Sequence, residues 1–234
     1  MTRPWTVLKP SALEQIAEGL WCVTDVVPTV PGANRRMTIV KRADGGLLFF
    51  NAIPLTEALL AQVRALGTPA QLVLPNHFHA LDGHAFAERL GVTMYAPEPS
   101  LPKLRAQPLS VKALSECPPD AAISFRTVDG FVTGEAVLIV TRGQSATVIT
   151  ADVITNVPHL GGFNGLLMRV VGFTGGAPKL PRPVRMRVGK DLKQVKGLLG
   201  EIAKTPGLTQ LVPSHGNVLR SGAREAVERI AASL

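Results

Sequence analysis

Cysteine is nearly absent: only 2 occur in 234 residues. Cys22 and Cys117 form no Cys-x-x-Cys pair, which excludes a zinc ribbon, a thioredoxin-type redox motif and a disulfide-stapled scaffold. Aromatic residues are scarce as well, at 5%, so the core must be aliphatic. No run of about eighteen or more apolar residues occurs, which excludes a conventional membrane-spanning helix. The first twenty residues also lack the basic-then-apolar order of a secretory leader. The expectation is a cytoplasmic chain with reduced thiols and no membrane insertion. Neither the Gly-x-x-x-x-Gly-Lys-Ser/Thr nor the Gly-x-Gly-x-x-Gly pattern is present, and Ser214 has no nucleophile-elbow context. These absences exclude a P-loop nucleotidase, a dinucleotide site of the usual kind and a serine hydrolase.

What the chain does contain is 46% hydrophobic residues with 22 Gly and 19 Pro, the composition of an aliphatic core cut by many turns. A chain of this length buries roughly 70% of the surface its unfolded form exposes, so no metal or disulfide is needed merely to fold. One domain over residues 1–234 is expected. Lys and Arg total 25 against 17 acidic residues, a net charge of +8. The excess is uneven: Lys179, Arg182, Arg185, Arg187, Lys190, Lys193 and Lys196 face a single acid, Asp191. A solvated basic face is the plain reading. Such a run also permits attraction to nucleic acid, an anionic membrane or an acidic small molecule.

Hydrophobic patterning predicts strands at Leu20–Thr24, Met37–Val40 and Leu47–Phe50, the last two forming a hairpin across Asp44-Gly45-Gly46. Pro28, Pro31, Gly32 and Asn34 read as a turn. Leu59, Leu60, Val63 and Leu66 share a helix face that Gly67 ends. Gln71–Leu74 is a strand stopped by Pro75-Asn76, followed by a polar loop, a short helix from Ala85 to Leu90 and a strand at Val92–Ala96. Pro102 and Pro108 break the next stretch. Further strands follow at Ile123–Val128, Ala136–Val140, Ala146–Thr150 and Thr209–Val212, with helices at Leu192–Ala203 and Ala223–Leu234. The Gly/Pro-rich segment around 161–183 reads as an extended loop.

Three of the five histidines lie in the polar loop, His77, His79 and His84, together with Asp82. In an extended loop, residues two apart project to one side, so His77 and His79 would point together, the arrangement of a chelating pair. Asp82 and His84 add oxygen and nitrogen donors suited to zinc, iron or manganese. Asp152 and His215 each follow a predicted core strand, where loops commonly carry chemistry.

In this ordered set the chain resembles the metallo-β-lactamase superfamily over nearly its whole length. His77 and His79 match the opening pair of the family's His-x-His-x-Asp-His motif. His215 in Ser214-His215-Gly216 matches its late His-Gly element, and Asp152 matches the aspartate that bridges two metals. The resemblance implies an α+β four-layer αββα sandwich, two mixed β-sheets flanked by helices. It also implies metal ligands among His77, His79, Asp82, Asp152 and His215. Asp82 or Asp152 would orient a metal-activated water, and Asn51, Asn76, His84, His159 and Asn217 would support the site or touch substrate. One divalent metal is implied, zinc first, with iron or manganese as alternatives.

The motif departs from the family at Leu81, and at Asp82, where a histidine is usual. A one-residue insertion would instead give Asp82 the aspartate role and leave His84 displaced by Gly83. No histidine stands between His84 and His159, so the family's intermediate ligand is missing. Three readings stay open: His77 and His79 with an unusual third ligand; Asp82, Asp152 and His215 around one metal; or a metal-free relic that binds a ligand without turnover. The implied function is metal-dependent hydrolysis of a small anionic or acyl substrate. A noncatalytic binding module and a metal-dependent nuclease are the alternatives, and a homo-oligomer is compatible with either.

Overall fold

The computed structural model describes all residues except 1, 2, 29, 31, 108 and 109, and the main chain alone at 163 and 164. Pro31 and Pro108, expected in a turn and a break, lie outside the described residues. The chain divides into two compact units, 1–26 with 35–124, and 27–34 with 125–234. Each contains one sheet.

The first unit carries seven strands: β1 (Glu14–Ala17), β2 (Leu20–Val26), β3 (Asn34–Lys41), β4 (Gly46–Phe50), β5 (Thr68–Val73), β6 (Thr93–Ala96) and β7 (Val111–Ala113). They lie in the sheet in sequence order. β3 and β4 form the expected antiparallel hairpin, and β4 to β7 run parallel. Parallel neighbours need crossovers, which helices supply: α1 (Glu57–Leu66), α2 (Gly83–Leu90) and α3 (Leu101–Arg105). α1 begins where the Thr56 hydroxyl accepts from the Leu59 N–H at 3.3 Å, and Leu59, Leu60 and Val63 turn inward. They pack with Leu47, Phe49, Leu72, Leu74 and Phe86 in one hydrophobic core. Trp5 stacks on Phe86 at 5.9 Å, and Phe86 meets Phe49 edge-on at 5.0 Å, which ties the N-terminal segment to α2. β1 and β7 were not expected: both are short and weakly patterned, and they exist by pairing on an adjacent edge.

The second unit holds β8 (Ile123–Val128), β9 (Glu135–Arg142), β10 (Ser145–Thr150) and β11 (Leu208–Pro213), ordered β11-β10-β9-β8. β9 and β10 form an antiparallel hairpin, whereas β10 and β11 are parallel with Thr150 opposite Pro213. Its helices are α4 (Gly162–Val170), α5 (Arg182–Val188), α6 (Leu192–Ala203) and α7 (Ala223–Ala232). Asp191 caps α6 by accepting from Lys193 and Gln194 N–H at 2.9 and 3.2 Å. Val195, Leu199 and Ile202 then pack with Val227 and Ile230 over Val137, Val148 and Leu211.

The expectation of an extended loop across 161–183 is corrected: α4 occupies nine of those residues. The run from Gly165 to Val171 contains no proline and has apolar residues at helical spacing. Glycines at its borders drew the reading towards loop. Among the described residues, no helix is long and apolar enough to cross a membrane.

Candidate metal centre

Because β10 and β11 are parallel neighbours in register at Thr150 and Pro213, their C-terminal ends open side by side, the position at which open sheets carry ligand sites. The Ser214 N–H donates to Thr150 O at 2.7 Å and extends the ladder by one bond. Asp152 and His215, each two residues beyond its strand, therefore meet: Oδ1 of Asp152 lies 3.6 Å from Nε2 of His215, and both side chains are partly buried.

The imidazole is held from behind. Its Nδ1 lies 2.8 Å from the Asn34 carbonyl oxygen. A carbonyl oxygen only accepts, so Nδ1 carries the hydrogen and Nε2 is the atom that faces the carboxylate. At 3.6 Å the two are too far apart for a good hydrogen bond. The Asn34 side-chain oxygen accepts from the Gly216 N–H at 2.8 Å. Gly216 has φ +93°, and a Cβ there would overlap the Asn156 carbonyl group. The glycine after His215 is thus required by close backbone approach as well as by φ.

Asp152 is fixed from its main chain. Glu135, at the start of β9 and fully buried, receives the N–H groups of Ala151 (3.0 Å), Asp152 (2.9 Å) and Val153 (3.0 and 3.1 Å). The turn after β10 is folded around this carboxylate, which points the Asp152 side chain towards His215.

In the first unit the histidine loop is a single 3-10 turn, His77–His79, capped by the Asn76 side chain, which accepts from the Phe78 N–H at 2.9 Å. The extended-loop premise is therefore corrected. The main chain is wound as a 3-10 turn, so the same-side projection that an extended loop would give does not follow from the backbone here. The His77 ring lies 4.1 Å from the Phe78 ring, and the main-chain N–H of His77 donates to Ser100 Oγ at 3.1 Å. Asp82 is almost completely buried, and its Oδ2 accepts from Arg35 Nη1. Arg35 also approaches Asp25 at 3.5 Å, and Asp25 accepts from the N–H groups of Lys9 and Val26 at 2.9 and 2.8 Å.

No protein-family model matches this sequence, and no curated protein matches it either. The architecture, however, is shared with solved structures. DIM-1 metallo-β-lactamase exposed to ceftazidime superposes at a TM-score of 0.65 with 13% identity, over 97% of this chain and 99% of that one. FIM-1 from Pseudomonas aeruginosa, in a mono-zinc form, gives 0.61 and 14% over 97% and 96%. A metallo-β-lactamase from Pontibacter korlensis gives 0.63 and 12% over 97% and 100%. The fold is that of the metallo-β-lactamases.

Within this metallo-β-lactamase fold the remaining expected residues fall at several places. Asn51 follows β4 at φ 71°, an uncommon conformation that asparagine tolerates. Its Nδ2 donates to Arg36 O at 3.1 Å, and its Oδ1 accepts from the Ala52 N–H at 3.0 Å. Asn217 holds the His215 turn through its main chain, donating to Asn156 O at 2.8 Å. His159 is exposed, with Nδ1 3.3 Å from Thr174 Oγ1. His84 opens α2, 4.0 Å from Glu88, and lines a cavity of about 590 Å³ with Arg3, Trp5, Glu88 and Arg89. Neither His84 nor His159 is brought to its unit's candidate donors by any of these contacts.

Sequence reasoning missed Asn34, Arg35 and Glu135. Glu135 left a faint signal, a lone acid opening the apolar run Ala136–Val140. Asn34 and Arg35 left none, because their partners lie far along the chain.

Proposed function

We propose that this chain is a metal-dependent hydrolase of a small anionic or acyl substrate. The observation that carries the reading is the Asp152–His215 pair: a carboxylate and an imidazole of fixed tautomer face each other at 3.6 Å. Two acceptor atoms directed at one another suit a cation between or beside them, and a carbonyl behind Nδ1 is the usual outer support of a ligating histidine. The donor set is one oxygen and one nitrogen, borderline in hardness, so zinc is the first choice and iron or manganese the alternatives. His77 and His79, from the early motif, are proposed as metal donors too. Bound there, a divalent ion would lower the pKa of water and polarise an ester, amide or thioester carbonyl.

The chain's own groups set the rest. Asn34 holds the His215 ring, Glu135 holds the Asp152 turn, and the Asp152 carboxylate accepts a proton-bearing oxygen on its exposed edge. Asp82 is assigned a positioning role through Arg35 rather than the ligand or water-orienting role expected of it. We place the working compartment in the cytoplasm, in keeping with Cys22 and Cys117 both standing as thiols.

One observation favours a noncatalytic binding module: the engagement of Asp82 by Arg35 removes one donor of the family motif. Elemental analysis of protein purified without chelator or metal-binding tag separates the two. Near-stoichiometric metal that is lost in Asp152→Ala/His215→Ala, with metal-dependent ester or thioester turnover, is expected. Absence of metal after equilibration with zinc, manganese and iron refutes the hydrolase reading.

A further inference from the structure

We propose that the face formed by α4 and α5 docks peripherally on an anionic phospholipid surface. The inference is independent of the metal reading.

α4 is built inside out. Among its described positions the buried one is Gly165, where a Cβ would overlap the Leu160 carbonyl. Three of its large apolar residues face water: Leu166 is 58% exposed, Leu167 52% and Val170 68%, with Met168 half-buried and Val171 exposed just beyond the helix. Positions 166, 167, 170 and 171 share one helical face. Met186 on α5 is 85% exposed. An ordinary surface helix buries its large apolar side, so this packing leaves an apolar stripe that the fold itself does not use.

The segment that carries the stripe is strongly basic. Residues 161–196 contain eight Lys and Arg and one acid, Asp191, which accounts for all but one of the chain's net +8. Arg169, Arg182, Arg185 and Arg187 are exposed. The two helices are adjacent at their junction, where a Cβ on Gly172 would lie 2.8 Å from Cδ of Arg182. Main-chain bonds between Thr155 and Lys179, both 3.0 Å, hold the intervening segment.

Exposed aliphatic side chains accompanied by exposed arginines are the chemistry of an interfacial lipid contact, in which the apolar groups enter the acyl boundary and the cations meet the headgroups. A second copy of the chain fits less well, since a two-fold contact would press the same positive face against itself. Single-stranded nucleic acid would meet the charge, but it calls for aromatic stacking platforms. The exposed large apolar side chains of the face, among those described, are Leu, Val and Met.

The test is co-sedimentation of the full-length protein with vesicles of phosphatidylcholine alone and with about one-third phosphatidylserine. Partitioning at least about tenfold stronger on the anionic vesicles is expected, weakening about tenfold as salt rises from about 0.05 M to about 0.3 M. Leu166→Ser/Val170→Ser and Arg182→Glu/Arg185→Glu should each lower it about tenfold with unchanged far-UV circular dichroism. All four side chains are exposed, so folding is not at stake. Failure to sediment, equal binding to both vesicles, or wild-type binding by either variant overturns the proposal. So does capture of short RNA without vesicle binding, or a dimer in light scattering that the variants dissociate while lipid binding is absent.

Discussion

Replacing Glu135 by glutamine is expected to destabilise the second unit far more than an isosteric change on a surface would. Its two carboxylate oxygens are fully buried and receive the N–H groups of Ala151, Asp152 and Val153 at 2.9 to 3.1 Å. Glutamine retains one acceptor oxygen. Its amide nitrogen then confronts at least one main-chain N–H, donor against donor. Each charge-assisted bond lost costs about 1.5–3 kcal/mol, and a stranded buried donor about 1–3 kcal/mol more. Relief of the buried charge offsets part of this, leaving a net cost of about 2–4 kcal/mol. For a chain of this size that lowers Tm by about 6–12 °C. Urea unfolding and calorimetry read the loss directly. Because the same three N–H groups shape the turn bearing Asp152, metal content measured at a temperature well below the lowered Tm should fall too. A Glu135→Gln protein within about 0.5 kcal/mol of wild type, with metal retained, would refute the argument that this carboxylate organises the turn.

Three further outcomes follow from the structure. Asp82→Ala strands Arg35 beside Asp25 alone and should cost about 3 kcal/mol, while Asp82→Asn, which keeps an acceptor, should cost about 1–2 kcal/mol; equal melting temperatures for the two variants would contradict the ion-pair assignment. Gly216→Ala forces a Cβ into the Asn156 carbonyl at φ +93° and should cost about 2–4 kcal/mol, with reduced metal uptake by the folded protein, checked by calorimetry and elemental analysis. Burial pushes the Cys117 thiol up to about 11 from 9.0, against a smaller lowering by Arg42. Iodoacetamide labelling should therefore stay slow through pH 9 and rise only towards pH 11. The unfolded chain ionises first as pH rises, so this thiol's contribution to stability is complete below pH 9 and is lost through about pH 11.

The sequence by itself determined where most core strands and helices lie. Leu47–Phe50, the Leu59-Leu60-Val63 face and the run Leu192–Ala203 are set by apolar spacing, a property read within one turn or one pleat. The same locality marked Asp152 and His215, since each simply follows an aliphatic run. Tertiary structure alone decided what those residues meet. Parallel pairing of β10 with β11 brings Asp152 to His215, although 62 residues separate them in sequence and no periodicity records the register. Asn76 caps the histidine segment into a 3-10 turn in place of the extended loop that the spacing suggested. Arg35 claims Asp82 from 47 residues away, and Glu135 gathers three N–H groups beneath Asp152. Apart from the local Asn76 cap, the deciding energy in these cases is a non-local hydrogen bond or ion pair. Its partners are chosen by how the sheets place them, while the hydrophobic pattern specifies only which side of an element is buried.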